Sequence, residues 1–280
     1  MRALGRLTEK WRAEPADTPK RDLFDGRCIA EVVSRFDVVA IQEVRGRLGA
    51  LRYLLEALGR HWAVIMTDVA RGRAGNDERM AFLFDLRRAK PSGLACELVV
   101  DIESETEVAA TALDRQFART PYAVSFACNG AELTLVTLHV IYGNEPQRRK
   151  ELVEIAEWLA GWARHEKEWN QNLIALGDFN IDRHGDPLYD AFTSTGLTPA
   201  EELNEVPRSI FDKPGRGKFY DQIAWFLGPG RGPVLNLGYL GAGSFDFVPL
   251  LRGGLSKVSL SWKVSDHYPL WVEFEAPPLR

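Results

Sequence analysis

The chain has 280 residues, a formal net charge of −4 and a pI near 5.8, with 45% hydrophobic and 26% charged residues. That length suits one large domain with a sizeable core, and the charge balance argues against a globally basic protein that coats nucleic acid. It does not exclude an enzyme whose positive charge is confined to its site. Three cysteines (Cys28, Cys96 and Cys128) are odd in number and form no CxxC, which argues against a disulfide framework or a zinc cluster. No apolar run reaches the ~18 residues that span a bilayer, and no signal-peptide apolar region comes after the first residues. The expectation is a cytoplasmic protein forming a single domain over 1–280, with no membrane contact and no obligate protein partner.

Gly26–Phe36 places Ile29, Val32, Val33 and Phe36 on one face and predicts a helix; Val38–Val44 is a buried strand. Leu48–Leu58 repeats the helical spacing through Leu51, Leu54, Leu55 and Leu58. Strands are expected at Trp62–Asp68, Met80–Asp85, Cys96–Asp101, Tyr122–Cys128 and Leu133–Val140, with Asn129-Gly130 as a hairpin turn. Pro146 opens a long helix through about Glu168. Leu173–Phe179, Tyr220–Leu227, Val234–Leu240 and Tyr268–Phe274 complete the strands. Their number and order predict an α/β architecture with two packed sheets flanked by helices.

Polar residues cluster where apolar strands end. Val38–Ile41 delivers Gln42-Glu43, Leu135–Leu138 delivers His139, and Leu173–Leu176 delivers Gly177-Asp178-Phe179-Asn180. Ser265-Asp266-His267 precedes the last strand. Burying four such ends without partners would be costly, so convergence around an ion and a substrate is expected. Oxygen donors without cysteine or HxxxH spacing point to Mg2+, with Mn2+ as a substitute. Taken singly, each has an ordinary reading: a strand-end carboxylate, an Asx turn, an interior histidine.

Together, Gln42-Glu43, Leu138-His139, Gly177-Asp178-Phe179-Asn180, Tyr220-Asp221-Gln222-Ile223 and Ser265-Asp266-His267 resemble, in order, the motifs of the endonuclease/exonuclease/phosphatase superfamily typified by deoxyribonuclease I. The resemblance spans about residues 38 to 274. It implies a four-layer α/β/β/α sandwich of two packed mixed β-sheets and metal-dependent hydrolysis of phosphoesters. Asp77-Glu78-Arg79 and Phe117-Ala118-Arg119-Thr120-Pro121 resemble elements of its nuclease branch. The resemblance implies that Glu78 orients His139 and that Arg119 contacts a phosphate. It also pairs Asp221 with His267. Glu43 and Asp266 are then the metal residues, Asp178 and Asn180 hold the attacking water or the phosphate, and His139 and His267 share acid, base or electrostatic roles.

One departure stands out. Members begin with a strand ending in an Asn at the site, whereas this sequence reaches Gly5–Trp11, which resembles the segment just after that strand. The expectation is that the first strand is missing, through a start assigned too far downstream or a true loss. Loop cations (Arg71, Arg73, Arg79, Arg208, Lys213, Arg216 and Lys218) suit a polyanionic substrate, DNA before RNA. A phosphatase of a small or lipid-borne phosphate, and a binding protein of the same fold, are the competing readings.

Overall fold

The computed structural model describes residues 4–70, 76–98, 117–165, 172–213, 217–227, 235–251 and 255–276. Helix α1 (Leu23–Val33) starts three residues earlier than the apolar stripe suggests, because Asp22 and Asp25 form a capping box that satisfies its first N–H groups. β1 (Val38–Arg45), α2 (Gly49–Leu58), β2 (Trp62–Met66) and β3 (Glu78–Asp85) come next. β4 (Lys90–Glu97) leads to β5 (Tyr122–Cys128) and β6 (Ala131–His139). The long helix α3 (Glu145–Arg164) is capped by Asn144, with Pro146 in its first turn, and then come β7 (Leu173–Ile181), α4 (Pro187–Thr193) and β8 (Leu197–Pro199). β9 (Phe219–Phe226), β10 (Gly238–Ser244), α5 (Lys257–Lys263) and β11 (Leu270–Glu275) complete the order.

Six strands form one mixed sheet in the order β4-β5-β6-β7-β9-β8, and α3 is the crossover that lets β6 and β7 run parallel. The two-residue period of the strands then sorts side chains into layers. On β6 and β7, Val136, Leu138, Leu173 and Ala175 pack against Leu152, Ile155 and Leu159 of α3. Their neighbours Leu135 and Ile174 face the other way, against Phe82 and Phe84 of β3. On β3 itself, Ala81 and Leu83 turn to Ile29 and Val33 of α1 and Leu51 and Leu54 of α2. Helices, sheet, sheet and helices therefore stack in four layers, as the sequence implies.

The second sheet departs from expectation. Instead of one mixed sheet it comprises two antiparallel pieces among the described residues, β1-β3-β2 and β10-β11. A slot of about 770 Å³ separates β1 from β11, lined by Val38, Ala40, Leu135, Ile174 and Val272. Leu4 makes an isolated parallel bridge to Val44 at its end. Among the described residues β1 therefore stands at the edge of its piece, with β3 on its other side.

Smaller differences have local causes. β4 starts at Lys90, not Cys96, because Pro91 and Gly93 disguise an edge strand whose pairing with β5 shifts register between Pro91 and Ala95. Val99–Asp101 lie outside the described residues, as do Glu166–Glu168 of the long helix. The strand expected at Val234–Leu240 is found at Gly238–Ser244, where glycines replace the usual β-formers. α4 and α5, seven residues each, and the three-residue β8 are too short to declare a period in the sequence. Among the described residues, no helix is long and apolar enough to cross a membrane.

Candidate active site

Sheet register builds the centre of the site. His139 on β6 pairs with Asp178 on β7, and Asp178 pairs with Asp221 on β9. Three strands therefore carry three ionisable residues on one rung, and neighbouring strands lie only about 4.8 Å apart. His139 Nε2 is 3.7 Å from Asp178 Oδ2. Asp221 Oδ2 is 2.6 Å from Nδ1 of His267, which arrives from the segment between α5 and β11. That segment is held by a bridge between Ser209 and His267 and by the His267 N–H donating to Ser265 Oγ at 3.1 Å. Tyr220 stacks on the His267 ring, with centroids 6.0 Å apart.

The Gly-Asp-Phe-Asn segment has a steric explanation. Gly177 has φ of +140°, and a Cβ there would lie 2.1 Å from the Leu138 carbonyl oxygen, so only glycine lets β7 lie this close to β6. Pairing with β9 is interrupted between Asp178 and Ile181, where Asn180 takes φ of +50°. Asp178 Oδ1 accepts the Asn180 N–H at 2.9 Å, which closes an Asx turn. Asn180 is buried, and its Nδ2 donates to the Val140 carbonyl at 2.7 Å. Its amide group thus ties β7 to the end of β6.

On the other side of His139 lies a buried ion pair. Arg119 Nε donates to Glu78 Oε2 at 3.0 Å, and Asn76 Nδ2 donates to Glu78 Oε1 at 2.6 Å. Arg45 Nη2 approaches the same carboxylate at 3.4 Å. His139 Nδ1 stands 3.9 Å from Glu78 Oε2, beyond hydrogen-bond reach, and is buried without a partner. Among the described residues Arg119 Nη1 also has no hydrogen-bond partner and is buried. A guanidinium N–H held out of water and without an acceptor among those residues is suited to receive an anion.

These surroundings drive the two histidines apart. Burial, with the Arg119 charge, holds His139 well below its ordinary value. Burial also pulls His267 down, but the charge and hydrogen bond of Asp221 outweigh it, and the pKa rises to about 9. Burial and the nearby Asp221 raise Asp178 to about 6. Burial also raises Glu78.

Of the residues expected to hold metal, Glu43 lies on β1, where pairing with β3 shifts register, and has φ of +60°, a conformation unusual for a glutamate. Asp266 is half-buried beside His267, and its carbonyl accepts the Ile210 N–H at 3.0 Å. Among the described residues no three His, Cys, Asp or Glu side chains gather into a metal cage. Mg2+ keeps several waters and binds through one or two carboxylates, so these hard oxygen donors fit it.

The loop cations differ from expectation. Arg208, expected on a surface loop, is 1% exposed, donates to the Asp221 carbonyl at 2.8 Å and lies over the Phe219 ring. It braces β9. Lys218 Nζ is 2.7 Å from Asp182, and Arg79 is 3.8 Å from Asp68. Arg71, Arg73 and Arg216 lie outside the described residues. Two supporting residues carried no role in the sequence: Gln42, whose Nε2 donates to Thr137 Oγ1 at 3.0 Å across the layers, and Arg148, which donates to the Asn180 carbonyl and to Asp182. Gln42 was visible beside Glu43; Arg148 is one of several charges on α3 and had no distinguishing signal.

The fold is that of the endonuclease/exonuclease/phosphatase proteins. A mannosyl-6-phosphatase of Bacteroides thetaiotaomicron is 18% identical, with TM-score 0.59, covering 96% of this chain and 98% of that one. An endonuclease/exonuclease/phosphatase family protein from Leptotrichia buccalis is 16% identical, with TM-score 0.57, over 97% and 98% of the two chains. TDP2 of D. rerio, complexed with a single-strand DNA product, is 14% identical, with TM-score 0.58, over 97% and 98%. No family model matches the chain, and no curated protein matches it in sequence.

Proposed function

We propose that the protein is a Mg2+-dependent phosphodiesterase that cleaves nucleic acid, DNA in preference to RNA. The observation that carries this reading is the single rung of His139, Asp178 and Asp221, closed by the 2.6 Å contact from Asp221 to His267. Glu43 and Asp266 would hold the Mg2+ ion, which supplies positive charge to a phosphoryl oxygen when bound. With a pKa near 6, Asp178 is largely ionised at neutral pH and takes a proton from the attacking water. His267, at about 9, is a cation there. Its Nδ1–H is committed to Asp221, and its Nε2–H offsets charge developing on the phosphorus oxygens. His139 stays neutral and offers a hydrogen bond without charge, and the unpartnered Nη1 of Arg119 takes a second phosphate oxygen. Asn180 fixes the turn that aims Asp178.

Preference for DNA draws on the resemblance of the Glu78 and Arg119 segments to the nuclease branch, and on the TDP2 likeness. The competing reading, a phosphatase of a small phosphate, draws on the pairing of Lys218 and Arg79 with carboxylates, the burial of Arg208 and the mannosyl-6-phosphatase likeness. Incubation with supercoiled plasmid and Mg2+ separates them, with EDTA and His267→Ala as controls. Nicking abolished by both controls is expected. Hydrolysis of a phosphomonoester without nicking would transfer the site to the phosphatase reading. Inactivity on every phosphoester would leave a binding protein.

A further inference from the structure

Arg148 is a half-buried guanidinium that the proposed chemistry does not use. The helix explains where it stands. Arg148, Leu152, Ile155 and Leu159 recur at helical spacing, so the arginine lies one turn ahead of the apolar stripe that packs α3 against β6 and β7. α3 begins shortly after β6 ends, which brings its start to the end of the sheet where β6 delivers His139. Only 11% of the Arg148 side chain is exposed. Its Nη1 donates to the Asn180 carbonyl at 2.6 Å, and its Nη2 donates to Asp182 Oδ2 at 2.8 Å. The other oxygen of Asp182 accepts from Lys218 Nζ at 2.7 Å, immediately ahead of β9.

This group spans a gap in the ladder. β7 and β9 pair at Asp178 with Asp221 and again at Ile181 with Phe219, and between the two Asn180 takes φ of +50°. A residue other than glycine keeps such a conformation only where its surroundings over-determine it. Asn180 is held on three sides. Its N–H donates to Asp178 Oδ1, its Nδ2 donates to the Val140 carbonyl, and its own carbonyl accepts from Arg148. The first two bonds join β7 to itself and to the end of β6; the third ties the turn to α3 and, through Asp182 and Lys218, to the head of β9. Because Asp178 Oδ1 is bound to the Asn180 N–H, a shift of the turn shifts the carboxylate.

We infer that Arg148 is a positioning residue: its fork bridges the gap in the β7–β9 ladder, holds the Asn180 turn closed and so aims the Asp178 carboxylate at the attacking water. It acts through Asn180 and touches no reacting atom. This inference rests on the roles of Asp178 and Asn180 proposed above, and the test distinguishes the two.

Two readouts are taken on the full chain: hydrogen exchange of the Asn180 N–H by NMR, which needs no substrate, and steady-state hydrolysis of bis(p-nitrophenyl) phosphate with Mg2+. Arg148→Ala should exchange the Asn180 N–H about tenfold faster than wild type. Its kcat should fall roughly 10²-fold, the order expected when a catalytic group is displaced from a distance, with KM within about threefold. Arg148→Lys keeps the charge but not the planar fork, so it should recover only part of each loss. Arg149→Ala removes the neighbouring exposed charge of α3 and should match wild type. The Arg148→Ala/Asn180→Ala double variant should be no slower than Asn180→Ala, because Arg148 acts through Asn180. Should Arg148→Ala not fold, Arg148→Lys carries the test. A folded Arg148 variant with wild-type exchange or wild-type kcat overturns the inference while Asp178 keeps its role. A rise in KM at unchanged kcat, or additive losses in the double variant, also overturns it. A wild type inactive on plasmid, diester and monoester alike overturns the site reading, and this inference with it.

Discussion

The two site histidines sit on opposite sides of Asp178, and the fold treats them in opposite ways. His267 has a carboxylate at 2.6 Å and is held as a cation, with a pKa near 9. His139 has carboxylates only at 3.7 Å (Asp178) and 3.9 Å (Glu78, already engaged by a guanidinium), and is held neutral. In the sequence both look alike, each a histidine with an acidic residue implied behind it. What separates them is about one ångström of carboxylate distance and one arginine. A hydrogen-bonded carboxylate stabilises the imidazolium more than burial disfavours it, whereas an arginine on the far side of the carboxylate cancels that help.

This contrast can be broken at each partner. The largest loss is expected for His267→Gln, which removes the cation: turnover should fall by ~10²–10⁴ in a steady-state assay. Asp221→Asn should cost roughly 10² and also move the pH profile. In wild type, activity should rise through about pH 6 as Asp178 ionises and fall through about pH 9 as His267 loses its proton. Without Asp221 burial still lowers His267 and the charge of Asp178 is left to raise it, so the alkaline limb should shift to lower pH. His139→Gln keeps a neutral hydrogen-bonding group, so it should cost only about tenfold and leave the alkaline limb in place.

A stability measurement gives the smallest effect. The folded pKa of His267 is raised, so its contribution is fully present below about 6.5 and is lost as pH rises through about 9. The melting temperature should decline across that window in wild type, and His267→Gln should flatten the decline. An equal decline in both proteins would assign it to other groups.

Much of the site was legible because its residues terminate strands, where the hydrophobic pattern stops abruptly. Gly177-Asp178-Phe179-Asn180 could be read as a turn at a strand end, and the geometry shows why glycine leads it. The alignment of His139, Asp178 and Asp221 on one rung was not legible, since register depends on pairing between distant strands. Arg208 was misplaced because a lone arginine in a polar stretch has no mark that distinguishes a buried brace from a surface charge. The division of the second sheet into two pieces also depends on which strand edges meet.

On these surroundings the site should hold one cationic and one neutral histidine at the same pH. NMR titration of the two imidazole rings in selectively labelled protein, assigned with His139→Gln and His267→Gln, tests it directly. His267 is expected to remain protonated past pH 8 and to titrate near 9, while His139 stays neutral at and below its ordinary 6.5. Two rings titrating together near 6.5, or His139 charging before His267, would contradict it.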